Sequence, residues 1–193
     1  MLALGTSLPK FALPEVSTGR LVQTSDFEEC RVLVVVFLSA HCPYVVHVRP
    51  ELVRLAADYA QKGVGFVGIT SNDVTQYPED APAKIAAMAR SEGLKFPILF
   101  DQSQSVAKAF TAACTPDFFL FDAAKQLAYR GQLDSSRPSR GAGKPPSGAL
   151  DGSDLRAALD AVLAGWPAST DQRPSVGCNI KWRRGNEPDY FVL

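Results

Sequence analysis

Short apolar runs alternate along the chain with stretches whose apolar residues recur at three- and four-residue steps. Residues 31–38 form a β-branched run without polar alternation, which predicts a strand buried on both faces. Residues 64–70 and 96–100 have the same character. Between the first two runs, Val45, Val48, Leu52, Leu55, Ala56 and Tyr59 predict a helix over 43–62, bent by Pro50 and stopped by Gly63. Further helices are expected over 82–91, with Ile85, Met88 and Ala89 inward, and over 103–110. A last helix over 154–164 turns Leu155, Leu159, Val162 and Leu163 inward and takes Ser153 as its cap. Residues 10–22 read as a small hairpin about a Ser17-Thr18-Gly19 turn, and Ser25 and Glu28 have capping-box spacing. Residues 118–121 and 126–129 read as two strands around a turn.

Strands alternating with helices in this order predict an α/β domain with a central mixed sheet, its first three strands parallel and its final hairpin antiparallel. The expected division is a domain over 1–165 and a C-terminal tail over 166–193, packed on it through Trp182, Tyr190, Phe191, Val192 and Leu193. The segment 134–152, rich in Ser, Pro, Gly and Arg, is expected to be a mobile surface loop.

The balance of 20 basic and 20 acidic residues offers no electrostatic case for a nucleic-acid or anionic-membrane partner. No run is long enough to span a bilayer, and the N-terminus lacks the pattern of a signal peptide. Four widely spaced cysteines (Cys30, Cys42, Cys114 and Cys178) make neither a CxxC pair nor a disulfide scaffold, which points to a reducing cytoplasm. The chain carries no phosphate-cradling GxxxxGK[ST] and no dinucleotide glycine pattern, so no cofactor is expected.

One cysteine has a distinctive address. Cys42 stands between the first buried strand and the first long helix, in Ser39-Ala40-His41-Cys42-Pro43-Tyr44-Val45. The unpaired N–H groups and positive dipole end of a helix stabilise negative charge there, so Cys42 is the candidate nucleophile or redox centre. A buried small hydrophobe is the alternative. A thiol cycle also needs a second thiol. Cys178, in the tail beside Gly177 and near Lys181, and Cys114, two residues before Pro116, are both candidates. Cys30 reads as structural. His41 adjoins Cys42 and can act as a base or a stabilising cation, or can be an exposed ring. His47 reads as a helix-surface or partly buried histidine, and Asn72-Asp73 as a cleft lining or an Asx turn. Arg130, Arg137, Arg183 and Arg184 can stabilise an anionic substrate or thiolate but read mainly as solvated charges.

A strand, then Cys42, then a helix with Pro50 eight residues later, resembles the thioredoxin-like arrangement. Thr115-Pro116 ahead of a hairpin strand resembles the cis-proline that this fold places beside its active cysteine. A closer resemblance is to the peroxiredoxin-like branch of the alkyl hydroperoxide reductase/thiol-specific antioxidant superfamily. It is carried by Phe11-Ala12-Leu13-Pro14, the Cys42 segment, Ser71-Asn72-Asp73, Tyr77-Pro78-Glu79-Asp80, residues 114–120 and Gly177-Cys178-Asn179-Ile180-Lys181-Trp182. The resemblance implies a thioredoxin-like fold and thiol redox chemistry at Cys42, with His41, Thr115 and Pro116 in support. Two departures stand out. Val45 replaces the second cysteine of the thioredoxin pair, and Ser39 stands where a peroxidatic Cys42 would have the family's threonine. Peroxidase activity is therefore not carried over. Reducing equivalents are expected from a thioredoxin or a small thiol, and the family's habit of dimerising makes a homodimer one expected state. Two other readings stay open: a redox sensor whose tail moves on Cys42 oxidation, and a zinc or copper(I) site built from His41, Cys42, Cys114 and Cys178.

Overall fold

The computed structural model describes residues 2–139, 141 and 145–191. Part of the expected mobile loop (140 and 142–144) and the expected tail contacts of Val192 and Leu193 lie outside them.

A short antiparallel pair, β1 (Ala12–Pro14) and β2 (Leu21–Gln23), opens the chain. The central sheet follows: β3 (Val32–Phe37), β4 (Val64–Thr70), β5 (Ile98–Phe100), β7 (Asp117–Phe121) and β8 (Leu127–Gly131), in the spatial order β5-β4-β3-β7-β8. β3, β4 and β5 run parallel, whereas β7 is antiparallel to both β3 and β8. The helices are α1 (Pro43–Tyr59), α2 (Pro82–Glu92), α3 (Ser105–Ala109) and α4 (Ser153–Leu163). β6 (Cys114–Thr115) and β9 (Cys178–Asn179) form a second two-stranded ribbon. The thioredoxin-like α/β architecture follows from this order.

β3 shows why its sequence lacks alternation. Successive side chains of a strand point to opposite faces. Val32, Val34 and Val36 join Leu52, Leu55, Ile85 and Leu159 from α1, α2 and α4 on one face. Leu33, Val35 and Phe37 join Phe110, Phe119 and the N-terminal hairpin on the other. Both faces are covered, so every position is apolar. The tail touches both faces: Ala168 is buried in the first cluster and Ile180 and Trp182 in the second.

Several local details differ from expectation. The capping box is made by Gln23 and Asp26 rather than Ser25 and Glu28, because the turn starts two residues earlier, at Thr24. Gly152 in the left-handed region, not Ser153, precedes α4, and Ser153 is its first helical residue. α1 continues through Pro50 to Tyr59 and tightens into a 3-10 turn over Ala60–Lys62 before Gly63. The start of the 134–152 segment is anchored. Asp134 is buried and accepts hydrogen bonds from the backbone N–H groups of Ser136, Asp151 and Gly152 at 2.9, 3.0 and 2.8 Å.

Arg130 is not a solvated charge. Its guanidinium lies buried over the Phe119 ring and donates to Thr111 and to Asp117 Oδ2 at 3.2 Å. Burial still pushes the Asp117 carboxyl above the usual range, with Arg130 opposing it. A buried charge left without its partner is strongly destabilising. Arg130→Ala is therefore expected to cost about 3–5 kcal/mol in urea denaturation. A loss below about 1 kcal/mol, the range of an exposed pair, would show that Asp117 does not depend on it.

Candidate functional site

The site lies at the carboxyl end of β3, where ligands bind in open α/β sheets. The chain leaves β3 through Leu38-Ser39-Ala40-His41 and enters α1 at Pro43. Proline is pre-organised for a first helical position, so Cys42 becomes the N-cap residue. Its carbonyl accepts the first helical bond, from Val46 N at 2.9 Å. Its side chain does not cap the helix. Cys42 Sγ instead donates to the Thr115 carbonyl at 3.0 Å, and the residue is only 1% exposed.

Thr115 precedes a cis peptide bond to Pro116. β6 ends there, and β9 lies antiparallel against it with Thr115 opposite Cys178 and Cys114 opposite Asn179. This register separates the two candidate partner thiols. Alternation places Cys178 on the face of its Thr115 neighbour and Cys114 on the other. Cys178, half-buried, stands opposite Thr115, whose carbonyl holds the Cys42 sulfur, whereas the Cys114 thiol turns to the Pro116 carbonyl at 3.6 Å. Burial, followed by the hydrogen bond to Cys42 and the charge of that sulfur, pushes the Cys178 thiol up to about 11, with Lys181 opposing. Burial, with Asp117 as the next cause, pushes Cys114 up further. Cys30 lies apart, packed over Gly65, where an added Cβ would meet its sulfur at 2.6 Å.

Gly177 makes the approach of β9 possible. A Cβ there would lie 2.0 Å from the Thr115 carbonyl oxygen and 2.6 Å from its carbon. Only glycine lets the tail backbone come this close.

Asp80 anchors the turn from the other side. It ends a short 3-10 turn, Pro78–Asp80, and is fully buried. It accepts hydrogen bonds from Ser39 Oγ at 2.9 and 3.1 Å, from Ala40 N at 2.6 Å and from Asn72 Nδ2. His41 Nδ1 lies 3.2 Å from the same carboxyl, and its ring stacks on Tyr77 at 5.7 Å. His41 thus faces Asp80 rather than the Cys42 sulfur. His47 bonds Ser136 Oγ at 2.9 Å, and burial lowers its pKa. Asp73 makes an Asx-type turn with Thr75, and Asn72 reaches Asp80 and the tail. Asp80 could not be singled out from sequence. An acidic residue in a polar loop reads as solvated, and the only signal was its place in Tyr77-Pro78-Glu79-Asp80. Among the described residues, no three His, Cys, Asp or Glu side chains gather as a metal site.

A family model described as Redoxin matches residues 3–144. The chain belongs to the Redoxin family. An uncharacterised conserved protein from Geobacillus kaustophilus shares 49% identity over 95% of this chain and 94% of its own, with a TM-score of 0.86. A hypothetical protein, SMc02350 from Sinorhizobium meliloti 1021, shares 45% over 95% and 96%, with a TM-score of 0.89. Peroxiredoxin Bcp of Escherichia coli K12 is 30% identical over 109 residues, 56% of this chain and 64% of its own. The chain thus spans less than two thirds of that curated relative's length. Thioredoxin-domain and thiol:disulfide interchange structures of lower identity share the fold. Together these place this Redoxin chain on the thioredoxin-like fold. No helix among the described residues is long and apolar enough to cross a membrane.

The Cys178 thiol gives a pH signature. The hydrogen bond to Cys42 and the charge of that sulfur both favour the Cys178 proton. In the reduced protein, alkylation of Cys178 should rise with pH towards a midpoint of about 11. In Cys42→Ser the midpoint should fall, while burial keeps it above the ordinary thiol value. Alkylation followed by peptide mass spectrometry across pH checks this; an unchanged midpoint in the variant would show that the two sulfurs do not interact.

Proposed function

We propose that the protein is a thiol–disulfide oxidoreductase in which Cys42 is the nucleophile and Cys178 the resolving thiol. The observation that carries this is that Thr115 accepts from Cys42 Sγ through its carbonyl and stands opposite Cys178 in the β6–β9 pairing. Cys178 remains a thiol at neutral pH, which gives it the second role.

The cycle balances as a two-electron exchange. The Cys42 thiolate attacks one sulfur of a disulfide substrate and displaces the other as a thiolate, leaving a mixed disulfide on Cys42. Cys178 gives up its proton and attacks Cys42 Sγ. The second substrate thiolate leaves and takes up a proton, and a Cys42–Cys178 disulfide remains. Two equivalents of a small thiol, or one dithiol protein such as a thioredoxin, restore the reduced state. Proximity supports the second step, because a tethered thiol attacks at a high effective concentration. His41, Thr115 and Pro116 act in support. Thr115 accepts the Cys42 proton contact, Pro116 shapes the edge on which β9 lies, and His41 braces the turn through Asp80 and Tyr77. The sparse, unpaired cysteines suit a reducing compartment such as the cytoplasm, and a homodimer is the expected assembly of such a fold.

Disulfide exchange is favoured over peroxide reduction by the state of Ser39. Its hydroxyl donates to Asp80 and accepts from Cys42 N at 3.3 Å, so it is committed to holding the turn. Wild-type protein is expected to turn over a small aromatic or peptide disulfide with a thiol reductant faster than it consumes hydrogen peroxide. Cys42→Ser should abolish both activities. Full activity in Cys42→Ser would refute the assignment, and faster peroxide consumption would reverse the choice of substrate.

A further inference from the structure

The two thiols sit on separate parts of the chain, and one side chain joins their supports. Asn72 stands just beyond β4. Its Nδ2 donates to Asp80, the carboxylate that holds Ser39 and Ala40. Its Oδ1 accepts from the backbone N–H of Lys181 at 2.8 Å, three residues after Cys178. The Lys181 carbonyl is held in turn by Asp73 N at 2.8 Å and Gln104 Nε2 at 2.9 Å. Its ammonium lies 5.6 Å from the centre of the Tyr77 ring, which stacks on His41. From Asp80 the chain of bonds continues through Ser39 Oγ to Cys42 N.

We propose that Asn72 is a positioning residue for the redox cycle: by spending both ends of its amide, it holds the Cys42 turn and the Cys178 strand in one register. The inference rests on the two-thiol reading given above. An amide suits the position because it donates on one side and accepts on the other, as neither an aspartate nor an alanine can. Asp80, fully buried, needs the donor, since a buried carboxylate that loses a partner is costly. The Lys181 N–H needs the acceptor for the same reason. The consequence is kinetic and thermodynamic at once. Cys178 is delivered to Cys42 at a fixed distance, so the intramolecular disulfide is favoured over two mixed disulfides with an external thiol.

The test is a redox titration of the full chain in glutathione buffers, read by alkylation and mass spectrometry of the Cys42 and Cys178 peptides. The reaction is the Cys42–Cys178 disulfide plus two glutathione thiols giving the dithiol and glutathione disulfide. Asn72→Ala should shift this equilibrium about tenfold or more towards the dithiol, the scale of one lost bond to a charged group. Asn72→Asp keeps an oxygen for Lys181 but loses the donor to Asp80. It should shift the same way, and it serves if the alanine variant does not fold. Ser39→Ala cuts the path between Asp80 and Cys42. Its effect combined with either Asn72 variant should be smaller than the product of the two, the mark of residues acting in one network. Singles that leave the equilibrium within about twofold of wild type, or effects that simply multiply, would overturn the role of Asn72. A wild-type protein that forms no Cys42–Cys178 disulfide in any glutathione buffer would instead overturn the two-thiol reading itself.

Discussion

The site depends on one close approach, the backbone of Gly177 and Cys178 lying against Thr115 and Pro116. Everything distinctive about the thiols follows from it. A bulkier residue at 177 would collide with the Thr115 carbonyl at 2.0 Å. With glycine there, β9 reaches β6, and Cys178 falls opposite Thr115. The Thr115 carbonyl accepts from Cys42 Sγ, and the strand paired with β6 carries Cys178. The N-cap residue of the first long helix and a thiol of the tail are brought to one edge without a CxxC motif. In the proposed cycle a long-range pair takes the place of a local one, and the tail is part of the reaction centre.

Such an arrangement demands support that a helical CxxC pair does not need. Neighbouring cysteines on one helix share that helix as a scaffold, whereas Cys42 and Cys178 must be registered through tertiary contacts. The buried polar residues around the site serve this need. Asp80 gathers Ser39, Ala40, Asn72 and His41, and Asn72 extends the set to the tail. On the far side, Arg130 and Asp117 brace the segment that follows the cis peptide. Buried polar networks of this kind specify one arrangement when every member is satisfied.

The α/β class, the strand order in sequence and the place of Cys42 were legible because each rests on local pattern. β3 reads as buried on both faces from residues 32–37 alone, and Gly63 marks the end of the first helical region. Thr115-Pro116 was recognisable through resemblance. What escaped were features that exist only after folding. No periodicity reveals that Arg130 turns inward to Asp117, or that Asp80 is fully buried in a loop full of polar residues. The placing of Cys114 and Cys178 on the ribbon escaped for the same reason. It turns on which face of a two-residue ribbon each occupies, and that ribbon has no sequence signature. The box made by Gln23 and Asp26 lies two residues before the expected pair, directly after β2.

The central claim is that Cys178, and not Cys114, completes the exchange begun by Cys42. The most direct measurement is the stoichiometry of thionitrobenzoate release from Ellman's disulfide in a Cys30→Ser background. With limiting reagent, Cys42 should release one thionitrobenzoate on attack and a second when Cys178 displaces the adduct. Cys114→Ser should behave likewise, while Cys178→Ser should stop at one and retain the adduct on Cys42. Prompt release of both from Cys178→Ser, with arrest in Cys114→Ser, would contradict the account and move the resolving role to the other thiol.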